Sequence, residues 1–276
     1  LDVSGNAKIS MKSADDDEVT GNSFSMDKGI KFTGSGDLDN GMSVSYLYKM
    51  SDSSHTSSNV LIDMGDAGVA GIGRGNSGAG IRTVRYKIPT AGEEVWDDTD
   101  TDDNGIVGTG DSNAVYYSNS FGGVGFSGSY HKDDDTEKSF ALTYSGLVDG
   151  LTIGYGEGDV EQTTGTKSNE STMFAKYTLG SATVGIQISE NDKESASDVE
   201  TTGIGISYQV NDDLAVSYGS NTVETVGSTD QEATAIGVSY TMGSLGIALS
   251  IHQADNIGHT SSDDREGYQL GLSFAF

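Results

Sequence analysis

At the carboxyl end of the chain Tyr268, Leu270, Leu272, Phe274 and Phe276 alternate with Gln269, Gly271, Ser273 and Ala275. Successive side chains of an extended strand point to opposite faces, so this segment predicts a strand with one apolar and one small, polar face. Upstream, Leu245, Ile247, Leu249 and Ile251 alternate with Gly246, Ala248, Ser250 and His252, and Gly243-Ser244 joins them to Ile236, Val238, Tyr240 and Met242. That spacing predicts a hairpin with a two-residue turn. The same unit recurs: Ile204, Ile206, Tyr208 and Val210 turn through Asn211-Asp212-Asp213 into Leu214, Val216 and Tyr218. Earlier copies are Met173, Ala175, Tyr177 and Leu179 turning through Gly180-Ser181 into Val184, Ile186 and Ile188, and Phe140, Leu142 and Tyr144 turning near Asp149-Gly150 into Leu151, Ile153 and Tyr155.

The other ends of these strands are expected to be joined by longer acidic, Ser/Thr-rich loops at 132–137, 157–170, 190–200, 221–232 and 254–266. The first half predicts strands at 2–12, 24–35, 41–50, 59–64, 68–74, 113–120 and 123–131. Apolar spacing of three and four is missing over any useful length, so almost no helix is expected beyond a turn inside a loop. The sum is an all-β chain of about 16 strands, a count that rests on the alternation.

Such strands suit either a soluble sandwich or a membrane barrel. Short turns on one side and long loops on the other favour an antiparallel up-and-down transmembrane β-barrel. About sixteen strands leave an aqueous bore, where about eight would be filled by side chains. A closed sheet also leaves no unpaired edge in lipid, which requires residues 1–11 to pair with 268–276.

Composition fits this picture. The 276 residues are 34% hydrophobic, with 39 glycines and one proline, too few apolar side chains for a packed soluble core of this size. Residues 1–276 are read as a single domain. The ordered alternation argues against disorder despite the high charge. No cysteine is present, which excludes disulfides and thiolate metal sites. A formal net charge of −27 excludes nucleic acid and anionic surfaces as partners and makes divalent cations the natural counterions. No run approaches the ~18 apolar residues of a membrane helix, and no leader precedes Leu1, so the exported, mature form is expected. Neither a Ser/His/Asp set nor a phosphate or dinucleotide fingerprint occurs, and no catalytic residue is expected.

The chain ends, Leu1-Asp2-Val3-Ser4-Gly5 and Leu272-Ser273-Phe274-Ala275-Phe276, resemble those of the general Gram-negative porins, and Gly71-Ile72-Gly73-Arg74 resembles the strand ending before that family's constriction loop. The resemblance implies a homotrimer of sixteen-stranded barrels in the lipid of the bacterial outer membrane, with the terminal phenylalanine as an assembly signal. It also implies a third external loop folded inward, here roughly 75–111. That stretch is the longest irregular one and holds the only proline, Pro89, and the only tryptophan, Trp96. By the same likeness Arg74, Arg82, Arg85 and Lys87 are the basic candidates at the constriction, opposed by Glu93, Glu94 and Asp97.

Within that loop, residues 100–111 match a calcium-loop pattern: Asp100, Asp102 and Asn104 at positions one, three and five, Gly105 at six, the Ile106 carbonyl at seven and Asp111 at twelve. A terminal Asp and missing flanking helices point to a structural Ca2+ rather than a sensor site. The expected function is a water-filled channel for passive diffusion of small hydrophilic solutes and ions, biased toward cations. A gated or substrate-specific channel whose acidic lumen favours cations or cationic nutrients over anions is a further reading. The alternative is a secreted calcium-binding β-rich surface protein or adhesin, which would not need the final aromatic strand.

Overall fold

The computed structural model describes residues 1–14, 23–52, 54–74, 79–99, 101–108, 113–132, 136–161, 167–194 and 196–276. Sixteen strands form, in chain order: β1 (Asp2–Ala14), β2 (Phe24–Asp37), β3 (Ser43–Ser51), β4 (Ser54–Asp63), β5 (Val69–Arg74), β6 (Ala114–Phe121), β7 (Val124–Lys132), β8 (Thr136–Tyr144), β9 (Leu151–Glu161), β10 (Lys167–Leu179), β11 (Ala182–Lys193), β12 (Val199–Gln209), β13 (Leu214–Thr225), β14 (Gln231–Met242), β15 (Leu245–Asp255) and β16 (Arg265–Ala275). Each pairs antiparallel with its sequence neighbours, and β1 pairs with β16 to close the barrel. The expected terminal pairing is present, with Ile9 opposite Leu272. Gly5 and Phe276 exchange both backbone hydrogen bonds, at 3.0 and 2.9 Å. The only helical pieces among the described residues are 3-10 turns at Gly65–Ala67, Gly80–Val84 and Ile257–His259.

The two faces are inverted relative to a soluble protein. Ile251 is 52% exposed, while its neighbours Ser250 and His252 are 1% exposed. Ile236 is 51% exposed beside Ala235 at 7%. Apolar side chains therefore face out, where lipid covers them, and small or polar ones face the bore, as a membrane barrel requires and a sandwich forbids.

Short turns lie at one end, among them Gly180-Ser181 and Gly243-Ser244. At the other end the strands outrun expectation. Of the segments read as loops, residues 157–161, 167–170, 190–193, 199–200, 221–225, 231–232, 254–255 and 265–266 continue the ladders, as do Lys132, Thr136 and Glu137. The reason lies inside the bore: Asn191, Thr201, Asn221 and Gln231 face inward and are buried. Their polarity imitates a loop, yet it serves a lumenal lining.

Candidate functional site

Between β5 and β6 no described residue joins a strand, and the described stretches 79–99 and 101–108 lie against the inner wall. Its backbone polar groups need partners there, and inward-facing wall side chains supply them one strand after another. Ser127 Oγ of β7 accepts from Gly80 N–H at 2.9 Å, and Ser139 Oγ of β8 from Ile81 N–H at 3.1 Å. On β11, Gln187 accepts from Lys87 N–H at 2.9 Å and donates to the Val84 and Arg85 carbonyls at 2.8 and 2.7 Å. Ser217 of β13 accepts from Ala91 N–H at 2.8 Å, and Ser250 of β15 from Glu93 N–H at 2.9 Å. Nδ1 of His252 lies 3.2 Å from the Val95 carbonyl. Arg265 of β16 donates to the Thr99 carbonyl at 3.1 Å. The returning limb is held by Asn191, which donates to the Gly105 carbonyl at 2.9 Å, and by the carboxylate of Glu170. That carboxylate accepts from Val107 and Gly108 N–H at 2.6 and 2.7 Å.

Apolar contacts add to this strap. Ile81, Val84 and Ile106 pack with Ala141 and Phe174 of the wall, and Ile88, Val95 and Trp96 with Ala233 and Ala235. The wall is cut back to glycine where the strap runs closest. A Cβ on Gly156 would lie 2.7 Å from both Ile81 and Val84, and one on Gly203 would overlap the end of Ile88. The small inward residues of β9 and β12 are thus a groove for the strap.

The candidate charges divide into separate groups. Arg74 ends β5 opposite Ser58, on the outward parity of Ile72, apart from the others. Arg82 donates from Nε to the Val107 carbonyl at 2.5 Å. Arg85 pairs with Asp103 at 2.6 Å and lies over the Tyr86 ring, 4.4 Å from its centroid. Burial and the hydrogen bond to Asp103 raise the Tyr86 hydroxyl pKa. Lys87 is lowered by burial and by Lys176 of β10.

The loop acids face different cations. Glu93 pairs with Lys8 of β1 at 2.5 Å, and Asp98 pairs with Lys12. The part-exposed Lys8–Glu93 pair is of a kind that contributes about 0.2–1 kcal/mol, so it sets charge positions more than stability. Glu94 is pushed up to about 7, first by burial and then by Asp97 and Glu93. Asp97 is raised chiefly by burial, although its carboxylate accepts from Glu94 N–H at 3.0 Å. Register also places Asp27, Lys31 and Lys49 on the inward parity of Lys8, with Lys31 directly opposite Lys49.

Sequence reasoning missed the wall residues Lys8, Lys12, Glu170, Gln187 and His252. For the lysines a signal existed, since Lys8, Ser10 and Lys12 alternate with Ile9 and Met11 and so share the polar face. Nothing local marks Glu170 as a backbone acceptor.

Of the calcium candidates, Asp100 and Asp111 lie outside the described residues. Asp102 is exposed and its carbonyl lies 3.4 Å from the Asn221 amide nitrogen. Asn104 is buried, donates to the Arg85 carbonyl and accepts from Ile106 N–H at 3.3 Å. Gly105 has φ +69°, the sharp turn position six needs. Ile106 is fully buried in the first apolar cluster. No group of three acidic or histidine side chains that could hold a metal occurs among the described residues.

A family model described as Gram-negative porin matches residues 1–276. None of the curated proteins matches in sequence. Solved structures do match: a porin refined at 1.8 Å has 18% identity and a TM-score of 0.78, covering 100% of this chain and 99% of its own. The anion-selective porin from Comamonas acidovorans has 14% identity and a TM-score of 0.74 at 100% and 99% coverage. OmpT, an outer membrane protein of Vibrio cholerae, has 14% identity and a TM-score of 0.72 at 100% and 97% coverage. At such identities these structures speak for the fold.

Proposed function

Because this chain belongs to the Gram-negative porin family, forming a channel in the bacterial outer membrane, we propose that it passes small hydrophilic solutes and ions by passive diffusion with a bias toward cations. The observation that carries this reading is the inverted barrel, apolar outside and polar within, narrowed by a strap fixed to its inner wall. A sixteen-strand bore is wide enough for water, and the strap along its inner wall reduces it. The cation bias rests on the net charge of −27, whose effect weakens as salt screens it. The selectivity of the Comamonas protein belongs to that protein. Swelling of liposomes carrying the purified protein tests the diffusion reading. Rates should fall smoothly with sugar size and show no saturation, whereas a saturable rate for one solute would point to the substrate-specific channel.

We propose a homotrimer as the assembled form. Among the described residues, strands β3 to β8 run six to ten residues and the others eleven to fourteen, which supports a lower side suited to a neighbouring barrel rather than to lipid. We also retain calcium as a structural ion at 100–111, supported by the ligand spacing and the Gly105 turn. Calorimetric titration of the chelator-treated protein should show binding near one calcium per chain that Asp111→Asn weakens; no heat of binding would remove the ion from the account. No enzymatic role is proposed.

A further inference from the structure

The outer face of β10 to β13 carries two hollows, one beyond the other along the strands. The first, about 400 Å³, lies in the apolar band. Ala175, Ile186, Ile204 and Ser220 form one register row across it, and Tyr177, Val184, Ile206 and Tyr218 form the next. Small side chains at 175 and 220 and rings at 177 and 218 make it a trough running along the strands. The second hollow, also about 400 Å³, lies toward the long-loop end and is lined by Glu190, Asp192, Asp198, Glu200, Glu224 and Asp230. Glu190, Glu200 and Glu224 stand directly opposite one another across β11, β12 and β13. Each is exposed beside a buried, inward-facing neighbour, Asn191, Thr201 and Val223 respectively. Among the described residues no ion pair involves any of these six carboxylates; Lys193 ends β11 beyond the row, and Lys167 lies 3.8 Å from Glu161.

Like charges directly opposite on one face of a sheet destabilise it, so this row stores repulsion that a bound cation would relieve. Between the hollows the outward side chains grade from Ile204 through Thr202 to Glu200 on β12, and from Ser220 through Thr222 to Glu224 on β13. Four residues, about 13 Å of strand, separate the apolar row from the glutamates. Strands β10 to β13 also lie outside the low side assigned above to a neighbouring barrel, so lipid reaches them.

We propose that this face holds one lipid with a cationic head group. Its hydrocarbon lies in the trough, its linkage beside the Thr202 and Thr222 hydroxyls, and its ammonium group among the glutamates. The apolar trough selects an amphiphile over a free amine, and the acidic row selects an ammonium head over a phosphate.

The test is native mass spectrometry of the detergent-purified protein, titrated with dioleoyl lipids carrying a trimethylammonium, a phosphocholine or a phosphoglycerol head. One trimethylammonium lipid per barrel should be retained on the order of tenfold more strongly than either of the others. Glu200→Gln combined with Glu224→Gln should remove that preference. This double variant lowers repulsion, so heat-modifiable mobility should confirm that it still folds. Glu266→Gln, an acid of β16 away from the hollows, should leave the preference intact, and Ala175→Trp should lower retention of all three lipids. Equal retention of the three head groups, or a preference that survives the double variant, overturns the proposal. A phosphoglycerol lipid that wins once magnesium is added overturns the cationic head in favour of a metal-bridged phosphate.

Discussion

Arginine at Ile204 is expected to destabilise the barrel by roughly 2–4 kcal/mol, the cost of a charged side chain on the lipid face near the bilayer midplane. Ile204 lies at the centre of β12, opposite Ile186 in register, and is 51% exposed on the apolar outer surface. The comparison is Thr33→Arg. Thr33 of β2 shares the inward parity of Lys31 and faces water, so arginine there should cost a fraction of that amount. Urea unfolding in lipid vesicles measures both. Equal costs at the two positions would mean that the assignment of faces is wrong.

The second large effect is on the strap rather than the barrel. Glu170 is 4% exposed, and its two oxygens accept the Val107 and Gly108 N–H groups. Glu170→Ala removes two charge-assisted hydrogen bonds and leaves two donors without partners, which should weaken docking of the returning limb by roughly 3–5 kcal/mol. The closed sheet does not depend on those bonds, so heat-modifiable mobility should persist. Single-channel traces should become noisy with brief closures, and trypsin should gain access to Arg82, Arg85 and Lys87. Glu170→Gln keeps one acceptor and should fall between. Quiet, wild-type traces from Glu170→Ala would show that the strap is held elsewhere.

Much of the barrel is legible in the sequence because its determinants are local. Alternation along Tyr268 to Phe276 gives β16 and its faces directly, and the glycine turns at 180 and 243 give the hairpins. The outer strand ends were misread because Asn221 and Gln231 carry loop-like polarity while serving the lumenal face. The strap was identifiable as a long irregular segment between two strands, and its position as an inward loop came by family likeness. Its charge pattern was not legible, because pairing there is non-local. Arg85 finds Asp103 close by, while Glu93 and Asp98 reach Lys8 and Lys12 more than eighty residues away. Gly203 likewise reads as a small residue on a polar face, and only the Ile88 side chain above it shows why nothing larger fits.

The central claim is that this chain forms a hollow, strap-narrowed pore across a membrane, and single-channel recording of the purified protein in a planar bilayer tests it most directly. The account predicts discrete, ohmic conductance steps that grow several-fold when residues 80–108 are replaced by a short linker. Folded, heat-modifiable protein that produces no steps, or steps unchanged by loss of the strap, would contradict it.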